Sequence, residues 1–524
     1  ASSLVWYGNG TNAGGSGAWN ATDNRWAPTG AGVAGTWQPA KTAIFDTTGG
    51  TVTVAPAGIA ANNGLKFTAD GYTVGGGGIS LGGSALTNAI EVSATSAEIA
   101  AAISSGAAVT KSGSGTLVLS GENTGITGGM NVAAGTLQIG KGGTAGSLAG
   151  DVTVAGGATL AFNRSDNVAI ANTIGGAGAL RKDVAGTLTV TGSESYSGGT
   201  VVNAGKVVVG DGTTNGSISS TGDVTVAAGT ELAFNRSDAV GFAGAVNGAG
   251  TLTQRGSGLL TLSRSGTANA YGNDFTLRVE NGTVDLVRSG SSLAGILGAG
   301  NTIQLAGGTL QLSANAGSST VLTGAAIDVQ SNSTIAINRL GTAANHTTTG
   351  FSTPITVRND STLAFDFRGL LGTGTSGTSF KGTTTYTGTV SLASNAGFAV
   401  TNSAGGNAEV IFSGPVVGGF GLTKTGDQRL TLSSSANAYT GPTNIQAGTL
   451  ALGANASIAS SSAISVAAGA TFDVTALSGT AGTGSFQVAA AQSLGGAGTV
   501  AGNVTVGSGA TVAPGTGIGT LTVT

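Results

Sequence analysis

Two stretches of this 524-residue chain are near copies of each other. Asp151–Val168 reads DVTVAGGATLAFNRSDNV, Asp223–Val240 reads DVTVAAGTELAFNRSDAV, and the offset between them is 72 residues. A second unit is interleaved with the first. It reads KSGSGTLVLSGENTGITGGMNVAAGTLQIG from Lys111 and KDVAGTLTVTGSESYSGGTVVNAGKVVVG from Lys182. It returns as QRGSGLLTLS from Gln254 and KTGDQRLTLSSSANAYTGPTNIQAGTLALG from Lys424. Looser copies of the first unit are ITVRNDSTLAFDF from Ile355 and SVAAGATFDV from Ser465. Repetition at this period restricts the chain to architectures in which one supersecondary unit stacks on the next.

Each unit reads strand, glycine turn, strand. In TLVL, TLTV and LLTL the apolar residues alternate with Thr or another small residue, the period of two that turns one set inward. Between Asp151 and Asp223 there is room for roughly nine such strands. Three strands per coil then predict coils of ~24 residues, on the order of 20 of them. At about 4.8 Å per coil the rod would be roughly 100 Å long. A single coil cannot cover its inward Val, Leu, Ile and Phe, but its neighbours above and below can. The expected fold is an all-β, single-stranded parallel β-helix (β-solenoid). Its open ends need protection, and all four tryptophans, Trp6, Trp19, Trp26 and Trp37, fall in the first 37 residues. The expectation is an aromatic cap in residues 1–50 leading into a repetitive body over 51–524. An aromatic platform for carbohydrate is the functional alternative.

Composition narrows the function. Glycine supplies 96 residues and charged residues 8%, with 20 basic and 23 acidic side chains giving a net charge of −3. No Lys/Arg cluster is present to neutralise a run of phosphates, so no nucleic-acid partner is expected. No apolar run approaches the length that spans a bilayer. The chain opens without a charged and apolar leader, so it reads as a mature N-terminus. Cysteine is absent, which excludes disulfides, thiol catalysis and thiolate metal sites, and is compatible with export.

The interleaved unit follows G-x-G-x-L-x-L-x-G…Y-x-G-x-T-x-[VI]-x-A-G-T-L-x-[LI]-G, best over Gly113–Gly140 and Gly426–Gly453. That pattern resembles the passenger-associated repeat of bacterial autotransporters. The opening LVWYGNG…TAIFDTTGGTVTV (Leu4–Val54) resembles the start of mature passengers. The closing SLGGAGTVAGNVTVGSGATVAPGTGIGTLTVT (Ser493–Thr524) is similar to the stretch that leads into the autochaperone region. The resemblance implies a right-handed parallel β-helix, the hand that parallel crossovers also favour. It further implies a C-terminal outer-membrane barrel in the full precursor, with this chain ending before it. The implied location is the surface or surroundings of a Gram-negative cell.

Autotransporter passengers include hydrolases, which makes the catalytic candidates worth weighing. The one histidine, His346, lies in GTAANHTTTG, and neither a G-x-S-x-G elbow nor an H-E-x-x-H helix is present. A triad would have to be built on His346, which reads more simply as an exposed loop residue. Asp366 and Arg368 in LAFDFR should face outward, with Asp360 as a conceivable second carboxylate for a glycosidase. A solvated charge pair is the simpler reading. The repeated AFNRSD suggests a contact strip of Asn163, Arg164 and Asp166 with Asn235, Arg236 and Asp238, ~14 Å apart if the copies share one edge. The structural alternative is an Asx-stabilised turn that recurs with the coil. Calcium nonapeptides are missing, so neither metal nor cofactor is expected. The expected function is adhesion or self-association without enzymatic activity. Its partner would be a host cell surface, matrix, glycan or a sister passenger. A polysaccharide-acting enzyme and a released signalling factor or toxin are the alternatives.

Overall fold

In the strand Thr116–Leu119, Leu117 and Leu119 are buried while Thr116 and Val118 face outward. The same alternation recurs in Thr136–Ile139, Thr187–Val190 and Thr302–Leu305. Strands this short and half apolar are stable only when stacked, and the chain stacks them in parallel throughout its body. The structure is a computed structural model. It describes residues 2–30, 33–264, 274–288, 297, 300–315, 322, 324–340, 345–369, 381–478, 482–515 and 520–524. Among these residues there are strands and turns and no helix. The architecture is the parallel β-solenoid read from the repeats, and the chain divides into two compact units.

The first unit covers Ala1–Arg236 with Gly244–Val246. One side is a ladder from Thr42–Phe45 through Leu65–Phe67, Ala89–Val92 and Val109–Ser112 to Ile174–Gly176. The next side runs from Thr51–Val54 through Thr73–Gly76, Thr116–Leu119 and Thr159–Phe162 to Val224–Val226. The third side is interrupted: a four-stranded ladder begins at Ile59–Ala60, a two-stranded one at Glu122–Asn123, and a longer one at Val168–Ile170. Successive coils superpose inward residues in columns, such as Leu117–Leu137–Leu160–Leu180. Glycine makes the corners possible. Gly113 has φ +78°, and a Cβ there would sit 2.3 Å from the Val92 carbonyl oxygen of the coil below.

At the N-terminal end Ser3–Trp6 pairs antiparallel with Trp26–Pro28, a departure from the parallel rule that ends the stack. The rings of Trp6, Trp19 and Trp37 lie 5.2, 5.1 and 4.6 Å from that of Trp26. All four indoles are buried, and Trp26 also meets Phe45 of the first coil at 5.7 Å. Trp6 Nε1 donates to the Gly15 carbonyl and Trp37 Nε1 to that of Ala60. A carbohydrate platform needs a ring face open to water, and these rings offer none. We therefore propose that the cluster closes the first coil.

Besides a two-stranded pair, Ser485–Val488 with Asn503–Val506, the second unit, Ser237–Ala243 with Asn247–Thr524, has three long ladders among the described residues. They begin at Thr251–Gln254, Ala239–Phe242 and Asn345–Phe351. Coil length varies more than a uniform ~24 residues. Leu160 stacks under Leu180, 20 residues on, whereas Phe365 stacks under Val400, 35 residues on. The inward columns stay in register across both lengths.

Candidate functional site

The two DVTV…AFNRSD copies do not occupy the same side of the solenoid. Val152–Val154 lies in the ladder with Met130–Val132 and Ile174–Gly176, but Val224–Val226 stacks on Thr200–Val202 in the adjacent ladder. The 72-residue offset is therefore three coils plus one side. Ala161–Phe162 stack against Arg181–Lys182, while Ala233–Phe234 stack on Val208–Val209 of a different ladder. Asn163 and Arg164 thus stand at one corner and Asn235 and Arg236 at another, so the single edge expected above is not formed. Asp238 lies in the second unit.

Within each corner the motif binds its own neighbourhood. Arg164 Nε and Nη2 donate to Asp166 Oδ1 and Oδ2 at 3.0 and 2.7 Å, and Nη1 donates to the Gly146 carbonyl of the coil below. Arg236 Nη1 reaches the Gly216 carbonyl in the same way. These guanidinium groups staple one coil to the next, and both are half-buried rather than presented to a partner.

Asp366 points outward from Thr362–Gly369, as alternation requires, yet it is buried under neighbouring side chains. Arg368 Nε donates to its Oδ2 at 2.7 Å, and Ser403 Oγ and N donate to Oδ1 at 2.7 and 3.1 Å. Burial pushes this carboxyl up, but the Arg368 and Ser403 hydrogen bonds outweigh it and hold it below the ordinary aspartate value. Asp360 is committed to a corner turn with φ +53°, where its Oδ1 accepts from Asn395 N. The other buried carboxylate on this side, Asp285, is separated from Asp366 by the register Asp285–Gln311–Ala336–Asp366. Three coil steps are ~14 Å, well beyond the roughly 5–9 Å of a glycosidase pair. The backbone of His346 runs in Asn345–Phe351, and its side chain lies outside the described residues. No metal-binding cluster occurs among the described residues, and no helix there is long and apolar enough to cross a membrane.

The most unusual polar groups are ones that alternation disguises. Lys111, Lys182 and Lys424 each take an inward position in the last two residues of a strand and are buried. Lys111 Nζ donates to the carbonyls of Gly113, Gly115 and Ala134 at 2.6, 2.6 and 2.7 Å. Lys424 Nζ does the same with Thr425, Gly426 and Ala447 at 2.6, 2.9 and 3.1 Å. Lys182 reaches Arg164, Val184 and Ala185. In the remaining copy Gln254 takes the place, its Nε2 donating to Gly256 and Gly258. Each amine fills a corner with its donors spent on backbone oxygens.

These four sites head the four segments, residues 109–139, 180–209, 252–286 and 422–452, that match the passenger-associated-transport-repeat family. A curated relative, the adhesin BmaC autotransporter of Brucella suis biovar 1 (strain 1330), is 31% identical over 240 residues. Four segments of the chain thus carry the passenger-associated repeat of autotransporters. The match covers 40% of this chain and 7% of the relative's length. No solved structure is significantly similar to it.

Comparison of the passenger's repeats exposes one substitution with a pH consequence. Asn123 Oδ1 accepts from Ile103 N and Asn437 Oδ1 from Val416 N, both at 2.9 Å. In the repeat between them the acceptor is Glu194, whose Oε2 takes the Ile174 N–H at 2.5 Å while Oε1 is buried without a partner. Burial pushes the Glu194 carboxyl up to about 8; the Ile174 N–H opposes this and the Asp151 charge adds to it. A carboxyl raised in the fold stabilises while it stays protonated, so its contribution is complete below its ordinary value of 4.5 and is lost as pH rises towards 8. Glu194→Gln should therefore match wild type near pH 4 and exceed it progressively towards pH 8. The ceiling is about 1.4 kcal/mol per pH unit, reduced by the side chain's partial exposure. Urea unfolding of both proteins across this range checks it, and a difference that ignores pH would contradict it.

Proposed function

We propose that this passenger is an adhesin, acting outside a Gram-negative cell on a host surface, matrix, glycan or sister passenger, with no chemistry of its own. The observation that carries the reading is the resemblance to an autotransporter named as an adhesin. The surface supports it. Outward positions form hydroxyl columns at coil spacing, such as Ser96–Thr116–Thr136–Thr159 in the first unit and Thr283–Thr309–Thr334 in the second. Such columns suit many weak hydrogen bonds that hold through their number. The charges are sparse and largely matched across coils, as in Lys66–Glu91, Arg255–Glu280 and Arg429–Asp473.

Adhesion of this kind should depend little on salt, since screening acts on unpaired like charges. Cells displaying the passenger should clump, or bind their target, about equally at low and high ionic strength. Deleting coils should weaken binding by degrees. Clumping that collapses in salt would point to a charged site instead, and turnover of a polysaccharide by purified protein would replace adhesion with catalysis.

A further inference from the structure

The interruption on the third side of the first unit leaves an opening. Ser147–Leu148 pairs downward with Glu122–Asn123, and Val168–Ile170 pairs upward with Thr187–Val190, but no ladder joins these two neighbours. Between them lies a cavity of about 100 Å³. Its walls include Leu148, Leu160, Phe162, Ile170 and Ile174, so it reaches the core, and exposed Ala169 stands at its mouth.

The same unit carries an apolar group with nothing to cover it. Leu86 is 94% exposed. It stands on a braced turn, in which Thr87 N and Asn88 N both donate to the Ser84 carbonyl at 2.9 Å. The base of the turn is pinned by buried Asn88, whose Nδ2 donates to Ser105 Oγ at 2.9 Å. Gly82 N adds a bond to Asn62 Oδ1. A leucine held out in this way arrives at a partner with its backbone already ordered.

We propose that the opening between Leu148 and Val168 receives Leu86 of a second copy of the passenger. The inference rests on the adhesion reading only in taking a sister passenger as the partner. The cavity has room for one aliphatic side chain, and its lining is mostly apolar, as Leu86 is, with Ser147, Arg164 and Asn172 its polar members. Knob and hole are different patches, so each copy of a bound pair keeps the one it has not used free and contacts pass from copy to copy. One turn seated in one opening buries far less than the ~1,200 Å² of a stable dimer. The contact therefore gains strength only where many copies face one another, as on adjoining cells.

The absence of cysteine makes the test direct. Ala85→Cys, which keeps Leu86 and places a thiol beside it, and Ala169→Cys proteins, one carrying a size tag, are mixed and oxidised, with Ser460→Cys replacing Ala169→Cys in the control. The expected result is a mixed disulfide that forms several-fold faster than the control. On cells, Leu86→Asp and Ala169→Trp passengers should each fail to clump alone and should clump when mixed, since one supplies the hole and the other the knob. Cross-linking at the control rate, with clumping intact in both variants, overturns the contact. A second result would overturn it too: benzene shields the thiol of the Ala169→Cys protein from a thiol reagent, and that protein shows no preferential cross-link. The opening would then belong to a small apolar molecule. Preferential cross-linking without clumping upholds the contact and removes self-association from the adhesion reading instead.

Discussion

Trp26→Ala is expected to lower the stability of the N-terminal coils by about 3–5 kcal/mol, the range for deleting a fully buried aromatic. Trp26 is the hub of the cluster, with three indoles and Phe45 packed within 5.7 Å of its ring. Its loss leaves a cavity that the neighbouring rings cannot close without abandoning Phe45. In a solenoid each coil leans on the next, so damage at an end frays inward rather than collapsing the whole. The measurement is built into the chain, because all four tryptophans lie in the first 37 residues. Indole fluorescence reports this end alone, while far-UV circular dichroism reports the body. The variant should show a fluorescence transition well below the dichroism transition. Coincident transitions at the wild-type midpoint would remove the capping role.

Lys424→Met should cost about as much, roughly 3–5 kcal/mol, for a different reason. The methionine fills the space but leaves the carbonyls of Thr425, Gly426 and Ala447 buried without donors, at about 1–3 kcal/mol each before relaxation. Burial pulls the Lys424 ammonium down to about 8, and the Asp427 charge acts the other way. Lys424→Gln supplies the internal control. Gln254 already serves the same corner with two amide bonds, so the glutamine variant should lose less than half of what methionine loses. Chemical denaturation of the three proteins decides it. Equal losses for methionine and glutamine would show that the carbonyls find water and that the amine is dispensable.

The alternation in TLVL and TLTV is enough to read inward Leu117, Leu119, Leu188 and Val190, and with them the stacked parallel fold. The buried lysines are harder. A lysine between Thr110 and Ser112 reads as solvated, and only its recurrence as Lys, Lys, Gln and Lys before each glycine turn signals a constrained place. The side on which a repeat falls leaves no trace in the residues. Strands on different sides share the same inward and outward alternation, as in VTV of Val152–Val154 and Val224–Val226, so counting strand slots misplaces the second AFNRSD by one face. The opening beside Val168 is illegible for another reason. It arises from a pair of strands that do not bond, and a missing ladder has no residue code.

That freedom of repeats to begin on any face bears on how such a gene can lengthen. If the coil were the unit of inheritance, only duplications of whole coils would preserve the core. Here a copied segment need conserve only the phase of strand and turn, because Val224 finds a seat on Thr200 as readily as Val152 finds one on Met130. Unequal crossing-over within the repeats therefore has many more productive outcomes. A gain of one strand and its turn leaves the interior unchanged and carries every later surface residue to the next face. Lineages can thereby vary which side of the passenger they present without first rebuilding what holds it together.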